Sequence, residues 1–289
     1  MKKPPDPSKD AHKPAIDLSG ENVHWDFRED MSYADYLQLN TLLSAQHPLT
    51  DHHDETLFIV IHQASELWIK LCLHEIGAAI AEIRGGDLGL AFKMMARVAR
   101  VQANLIQSWE ILSTMTPFDY ANFRAALGKS SGFQSHQYRM LEFRLGNKNR
   151  DMARVFASHS DIDSQVQAAL NEPSIYDESL ALLARRGFPV PKEKLKRDFS
   201  ESYVSDPRVT EAWRLVYQDV EKHWDLYELA EKLVDLEYRF HLWRFSHMKT
   251  VERIIGSKPG TGGTSGVSYL QKALSLRFYP ELWDVRTEI

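Results

Sequence analysis

Two histidines lie in apolar segments where their side chains could take part in chemistry. His62 stands in the run LFIVIHQ, four residues after Phe58, so a helix would place both side chains on one face. His247 lies in FHLWRFSHMK together with His241, and either imidazole could bind a haem iron between aromatic neighbours. A histidine on an apolar helix face is also a common hydrogen-bonded core residue. The sequence therefore offers these histidines as candidates and leaves the packing interpretation open.

Tyr120 and Arg124 form a second candidate pair, in the segment PFDYANFR. The four-residue spacing places them on the same side of a helix, just after the break at Pro117. A guanidinium group beside a phenol suits a carboxylate ligand, because the planar fork donates two parallel hydrogen bonds to the two oxygens. A surface arginine would show the same spacing, so that alternative stays open.

A glycine-rich run, GSKPGTGGTSG, covers residues 256–266. It does not match a P-loop, because no lysine follows the last glycine. It does not match a dinucleotide-binding fingerprint either, because no predicted strand precedes it. Two interpretations remain, a flexible lid over a neighbouring site and a mobile connector.

The cluster DHHDE, residues 51–55, suggests a different chemistry. A His-Asp pair on a helical scaffold binds a divalent metal in HD-type phosphohydrolases, and adjacent carboxylates would add oxygen ligands. Such a site also needs a further histidine and a distant aspartate, which the sequence does not identify. A polar helix start explains the cluster as well, since Asp51 and Asp54 would complement the helix dipole. A metal hydrolase is therefore the second enzyme hypothesis, and a helical interaction scaffold is the non-enzyme one.

The elements that must position these residues are predicted to be helices. Over residues 54–85 apolar residues recur every three or four positions, with Asp54 as the predicted N-cap and Gly85 and Gly86 as the stop. A second such pattern over residues 87–115 would form an antiparallel pair with the first. Strict alternation of apolar and polar residues is absent, so an all-α fold, a helical bundle, is expected. Further helices are predicted over residues 120–127, 132–145, 174–186, 207–217 and 220–255.

The composition excludes several classes of protein. The net charge of -5 argues against a nucleic-acid surface. Cys72 is the only cysteine, so no intrachain disulfide or cysteine-based metal site can form, and the cytoplasm is the expected compartment. No uninterrupted apolar stretch reaches the roughly 18 residues of a membrane span, and no signal-peptide pattern opens the chain. We expect a disordered tail over residues 1–20 and a single all-helical domain over residues 21–289.

Five segments, taken in order, closely resemble the tryptophan 2,3-dioxygenase family. They read YADYLQLNTLLSAQHPL, HHDETLFIVIHQASELWIKL, PFDYANFRAALGKSSGFQSHQYR, FHLWRFSHMKTVERIIG and GTGGTSGVSYL. The resemblance extends from about Asn22 to the C-terminus with no missing block. Long motifs at compatible spacing are far more specific than a single histidine or glycine pattern. Thr264 departs from the family pattern, in which a serine is expected at that position.

The resemblance implies a haem-b enzyme, with one haem per subunit, that converts L-tryptophan and O2 to N-formyl-L-kynurenine. This reaction is the first step of tryptophan catabolism by the kynurenine pathway. His247 would be the axial ligand of the haem iron. His62 would be a catalytic residue near the indole N–H, with Phe58 packed beside it. The motifs match this family more closely than the indoleamine 2,3-dioxygenases.

For the other end of the substrate, the resemblance implies that Arg124 binds the carboxylate and that Tyr120 lines the pocket there. Thr261 in the glycine-rich run would hold the ammonium and carboxylate ends. The resemblance also implies a homotetramer, a dimer of dimers, with no nucleic-acid or membrane partner. In that assembly, three residues of one subunit would reach into the indole pocket of its neighbour: Tyr33, Tyr36 and Leu37.

Overall fold

The computed structural model describes Ile16 and residues 18–289, and these residues form helices, turns and loops with no β-strand. The predicted all-α fold is confirmed. Contacts divide the chain into two compact units, the first ending at His47 and the second spanning Pro48–Ile289. The predicted disordered tail over residues 1–20 lies almost entirely outside the described residues.

The first unit contains two short helices, α1 (Tyr33–Leu37) and α2 (Leu39–Leu43). A capping box begins α1: the Ser32 hydroxyl accepts from the backbone N–H of Asp35, and the Asp35 carboxylate accepts from the N–H of Ser32. Between the helices, Gln38 adopts a left-handed φ of 51°. Neither helix contains a buried residue. Most of their large apolar side chains are exposed in the single chain.

Two long helices of the second unit, α3 (His53–Gly85) and α4 (Leu88–Leu112), form the predicted antiparallel pair. The connection between them is short. Gly86 ends α3 at a φ of 87°, a conformation that favours glycine, and the carboxylate of Asp87 accepts from the N–H of Leu90 to begin α4. The predicted N-cap of α3 is wrong, because His52 takes that position and Asp54 lies in the first turn.

α3 is long and apolar enough, by length and composition alone, to cross a membrane. In the structure it packs along α4 and also contacts α6 (His136–Leu145) and α9 (Ile175–Arg185). Its buried positions include two carboxylates, those of Glu55 and Glu75. A core helix of a globular protein passes the same test, so α3 by itself does not indicate a bilayer.

A third long helix, α12 (Trp224–Ile255), packs against α4, and α5 (Pro117–Arg124) contacts both α3 and α12. α12 starts four residues later than predicted, because residues 219–223 form a turn after the preceding helix. These four helices, α3, α4, α5 and α12, carry most of the candidate residues named from the sequence. The remaining helices are α7 (Arg150–Ala153), α8 (Ser160–Asn171), α10 (Lys192–Leu195), α11 (Pro207–Gln218), α13 (Val267–Leu274) and α14 (Pro280–Asp284).

Candidate active site

One cavity in the second unit collects most of the candidate residues. Its volume is about 380 Å³, which is within the range of small-molecule sites, and side chains of α3, α4, α5, α6 and α12 line it together with the glycine-rich run. Five residues named from the sequence face it together: Phe58, His62, Tyr120, His247 and Thr261. Most of the lining surface is apolar, as in sites for small organic ligands, and polar and charged side chains supply the rest.

His62 lies on α3 in the wall of this cavity. Its Nδ1 is 2.7 Å from the backbone carbonyl oxygen of Phe58, and the two rings are 4.1 Å apart. Desolvation lowers the pKa of His62 below its ordinary value, although the Phe58 carbonyl and the nearby Glu66 carboxylate partly oppose this. The ring is therefore neutral near pH 7. Because a carbonyl can only accept, Nδ1 carries the proton and Nε2 is left as a hydrogen-bond acceptor.

His247 lies on α12, where its ring stacks on that of Trp109 with centroids 4.5 Å apart and 14° between the planes. Trp243, one turn earlier on the same helix, contacts the imidazole at 5.9 Å. Desolvation, together with the nearby imidazole of His62, lowers the pKa of His247 to about 4. Within the described residues, neither ring nitrogen of His247 makes a hydrogen bond. A neutral imidazole with a free lone pair is a metal ligand.

The residues of the cavity fit a haem better than a metal ion held only by side chains. In the part of the chain that the structure describes, no group of three or more His, Cys, Asp or Glu side chains is placed to hold a metal ion. A haem iron needs as few as one axial side chain, because the macrocycle supplies the equatorial ligands. His247 offers that imidazole, and the rings of Phe58, Trp109 and Trp243 offer flat apolar walls.

The acidic residues of the cluster at residues 51–55 stabilise the start of α3. Asp54 and Glu55 lie in its first turn, where carboxylates complement the helix dipole. The Glu55 carboxylate is buried and accepts from the backbone N–H groups of Leu49 and Thr50 at 2.7 and 2.8 Å, and also from the Thr50 hydroxyl. The structure therefore favours the helix-start interpretation over the metal site.

Tyr120 and Arg124 share one side of α5, which begins at a capping box formed by Thr116 and Asp119. The Tyr120 ring lies 5.9 Å from that of Phe58 and faces the cavity. Arg124 interacts with the Tyr120 hydroxyl but is not itself part of the cavity lining. Its Nη2 donates to the carbonyl oxygen of Pro259 at 2.6 Å. The guanidinium group thus lies beside the cavity and contacts the glycine-rich run.

The glycine-rich run, residues 256–266, packs on the segment before α6. The Thr261 hydroxyl donates to the carbonyl oxygen of Ser130 at 2.5 Å. A Cβ added to Gly262 would lie 2.7 Å from the Cβ of Ser131, so the close approach requires a glycine there. Hydrogen bonds from Arg124 and Thr261 thus hold the run against its neighbours in this structure.

The three residues predicted to reach a neighbouring subunit lie in the first unit, on α1. Tyr33, Tyr36 and Leu37 are 75%, 73% and 40% exposed. Their exposure leaves them accessible to another chain.

Two tryptophans that line the cavity were not predicted as site residues. Trp109 and Trp243 contact each other at 5.7 Å, and both touch His247. Each indole N–H is buried and has no acceptor within the described residues. The four-residue spacing from Trp243 to His247 in LWRFSH was an available signal. Trp109 lies on another helix, and no local pattern connects it with His247.

Comparison with known proteins identifies the family of this chain. A family model described as Tryptophan 2,3-dioxygenase matches residues 19–216 and 214–289. Proteins named Tryptophan 2,3-dioxygenase from Exiguobacterium sibiricum and Polaromonas sp. are each 56% identical to the chain over 269 residues, 93% of its length and 96% and 92% of theirs. The protein of that name from Geobacillus thermodenitrificans is 54% identical, with coverage of 93% and 96%. The chain belongs to the tryptophan 2,3-dioxygenase family.

Proposed function

We propose that this protein is a tryptophan 2,3-dioxygenase, an oxidoreductase that inserts both atoms of O2 across the indole C2–C3 bond of L-tryptophan. The product is N-formyl-L-kynurenine, in the first step of tryptophan catabolism by the kynurenine pathway. One observation carries the proposal: two histidines with lowered pKa values, His62 and His247, face the same aromatic cavity. One imidazole suits an iron cofactor, and the other suits the N–H of an indole.

The cofactor we propose is haem b, one per subunit, with His247 as its axial ligand. Trp109 and Trp243 pack beside that imidazole and fix the plane of its ring before any ligand binds. Less conformational entropy is then lost when the cofactor binds. Bound haem supplies the activation of O2.

His62 would orient the substrate. Its Nδ1–H is committed to the Phe58 carbonyl, so its Nε2 can accept a hydrogen bond from the indole N–H. Burial lowers the pKa of His62 and so makes the ring a weaker base than an ordinary imidazole. An indole N–H is far too weak an acid for such a base to deprotonate fully. The catalytic contribution of His62 is therefore orientation through a hydrogen bond.

The amino-acid end of L-tryptophan would bind at Arg124, Tyr120 and Thr261. Arg124 already donates from Nη2 to Pro259, and its remaining N–H groups can form the fork that a carboxylate needs. The Thr261 hydroxyl donates to Ser130, so it would have to exchange that partner to donate to the substrate. Substrate binding and the position of residues 256–266 are therefore coupled.

The assembly we propose is a homotetramer, a dimer of dimers, in the cytoplasm. Residues 21–289 would act as one all-helical dioxygenase domain. Exposed aromatic side chains on α1 support a subunit contact, because Tyr33 and Tyr36 present large apolar surfaces to solvent in the single chain. In the tetramer these residues and Leu37 would complete the indole pocket of a neighbouring subunit. No nucleic-acid or membrane partner is proposed.

One experiment tests the function directly. The purified protein should show the intense absorption band of haem and should convert L-tryptophan under labelled O2 to N-formyl-L-kynurenine that carries two labelled oxygen atoms. A product with one labelled atom would contradict dioxygenation. A colourless protein with a bound divalent metal would favour the hydrolase hypothesis instead.

A further inference from the structure

A buried charged cluster lines the cavity on the side of α6. The carboxylate of Glu142 accepts hydrogen bonds from the hydroxyl of Tyr138, the amide of Asn147 and the guanidinium groups of Arg139 and Arg244. Arg139, Glu142 and Arg244 are 4%, 3% and 4% exposed. Two guanidinium groups thus share one carboxylate, which leaves one positive charge uncompensated inside the protein.

The two arginines are satisfied to different degrees. Arg244 donates to the Tyr138 hydroxyl, the Ala273 carbonyl and Glu142, so each of its guanidinium nitrogens has an acceptor. Arg139 donates from Nη1 to Glu142. Its Nε is enclosed without an acceptor, and within the described residues its Nη2 makes no hydrogen bond. A guanidinium group carries five N–H donors, so most donors of Arg139 are unused.

The other charged groups that face the cavity do not accept hydrogen bonds from the unused donors of Arg139. The Glu66 carboxylate accepts from the amide of Gln137. The ammonium of Lys148 donates to three backbone carbonyls, those of Ala169, Leu170 and Glu172. Burying a cation with unused donors costs free energy unless a ligand accepts its hydrogen bonds. A carboxylate matches the geometry of the guanidinium fork best. The arrangement therefore suits an anion that enters from the cavity.

Arg139 lies to one side of His247. Its guanidinium carbon is 5.6 Å from the ring centre of Tyr138. The Tyr138 ring is 5.3 Å from that of Trp243, which in turn contacts His247 at 5.9 Å. A chain of contacts through two aromatic rings therefore connects the guanidinium group with the proposed axial imidazole, and both groups face the same cavity. A ligand with a carboxylate at its periphery and a metal at its centre would use both groups at once.

We propose that Arg139 binds a propionate carboxylate of the haem and that this ion pair compensates the charge that Glu142 leaves unpaired. The inference rests on the haem of the proposed function. It gives Arg139 a role separate from that of Arg124, which would bind the carboxylate of the substrate. The cavity region then holds two guanidinium groups for the carboxylates of two different ligands.

The test compares haem with its dimethyl ester, whose propionates carry no charge. Wild type and Arg139→Gln are reconstituted with each cofactor, and transfer of the cofactor to excess apomyoglobin is followed by absorbance. Wild type should lose the ester on the order of 10-fold faster than haem, because the charged hydrogen bonds are missing. Arg139→Gln should lose both cofactors at nearly the same rate. Arg139→Lys keeps the charge and should restore part of the difference.

Controls separate the possible outcomes. Arg100→Gln changes an exposed arginine on α4 and should discriminate between the two cofactors as wild type does. Equal discrimination by wild type and Arg139→Gln would overturn the assignment. Weaker L-tryptophan binding by Arg139→Gln, with unchanged cofactor discrimination, would place the substrate carboxylate at Arg139 instead. If wild type retained neither cofactor, the proposed function itself would fail, and with it this inference.

Discussion

At the residue scale, His62 and His247 differ in what their ring nitrogens already bind. His62 has one nitrogen committed to a backbone carbonyl, whereas His247 has only ring contacts. The family resemblance gives His62 the proposed positioning hydrogen bond and His247 the proposed binding of the iron, and the variants below test both roles. His241, the other candidate on α12, has its Nε2 2.7 Å from the Leu276 carbonyl and does not line the cavity.

We expect His247→Ala to yield a folded protein that lacks most of its haem, because the iron loses its proposed axial ligand. His241→Ala should retain haem at the wild-type level. The ratio of haem absorbance to protein absorbance, with circular dichroism as the control for folding, measures the difference. Equal haem content in the two variants would refute the assignment of the axial ligand.

His62→Ala should keep its haem and turn over more slowly, because the indole loses a positioning partner but the cofactor keeps its ligand. Rates under saturating L-tryptophan, normalised to haem content, report the effect. A complete loss of turnover in a folded, haem-replete variant would show that an obligatory base had been removed.

Arg124→Ala should weaken L-tryptophan binding by about 2 kcal/mol, or roughly 30-fold, because the substrate carboxylate loses a charged hydrogen-bond partner. Tryptamine lacks that carboxylate and should bind to the variant and wild type alike. Spectral titration of the haem with each ligand gives both affinities. Equal weakening for the two ligands would exclude Arg124 from the carboxylate site.

At the scale of elements, residues 256–266 are less free than their glycine content predicts. Arg124 and Thr261 hold this run through backbone carbonyls, and Gly262 lies against Ser131. The same two side chains are the proposed partners of the amino-acid substrate. A ligand that engages them therefore has to compete with contacts inside the protein.

Limited proteolysis at Lys258 can measure how firmly this run is held. Thr261→Val removes the hydroxyl that donates to Ser130 and should accelerate cleavage several-fold even without substrate. Saturating L-tryptophan should protect the wild type and should protect Thr261→Val less. Ser265→Ala, at an exposed position of the same run, is the control and should behave as wild type. Identical cleavage of all three proteins, with and without L-tryptophan, would indicate a passive connector.

The start of α11 gives a prediction about pH. Hydrogen bonds from the Arg208 side chain lower the pKa of Asp206, the N-cap of this helix, from 3.8 to about 2. The folded pKa lies below the unfolded one, so the stabilisation is present above pH 3.8 and is lost as the pH falls toward 2. Arg208 is 60% exposed and solvent screens the pair, so Asp206→Asn should cost about 1 kcal/mol at pH 7.

Urea unfolding of wild type and Asp206→Asn at pH 7 and near pH 2 measures this contribution. The gap between the two proteins should shrink at the lower pH, because about half of the folded wild type then carries a protonated Asp206. A gap that stays constant between the two pH values would show that the charge of Asp206 contributes nothing to stability.

Periodicity predicted the long helices and also shorter ones such as α9 and α11, but it did not predict α8. α3 and α4 have apolar residues at every third or fourth position over many turns, and their predicted bounds are correct to within three residues. α8 buries only Val166, Ala169 and Leu170, which is too few for a pattern to be visible in SDIDSQVQAALN. Its position depends on packing against α6, which the sequence does not encode locally.

The same limit applies to the candidate site. Spacing within one helix predicted that Phe58 lies beside His62 and that Tyr120 lies beside Arg124. The bond between Arg244 and Glu142 joins residues 102 positions apart, so only the packing of the helices reveals it. The individual roles of the site residues came from the family resemblance and stay predictions until variants are measured.

At the scale of the whole molecule, the proposed tetramer can be tested by mixing subunits. Tyr36→Ala leaves a subunit's own cavity intact, and Arg124→Ala leaves its α1 intact. If α1 of one subunit completes the pocket of its neighbour, assemblies that contain both variants will include complete sites. Co-expression should therefore restore part of the activity that each variant lacks alone. No gain on mixing would contradict a shared pocket.

The hairpin of α3 and α4 also constrains which changes in chain length the protein can tolerate. His62 lies 24 residues before Gly86, and Trp109 lies 23 residues after it. At a rise of about 1.5 Å per residue, both side chains stand about 35 Å from the turn. Deleting one residue from either helix between the turn and the cavity would rotate one of them by about 100° relative to the other. Substitutions on the outer faces can accumulate there, but insertions and deletions must occur in equal numbers on both helices or fall elsewhere in the chain.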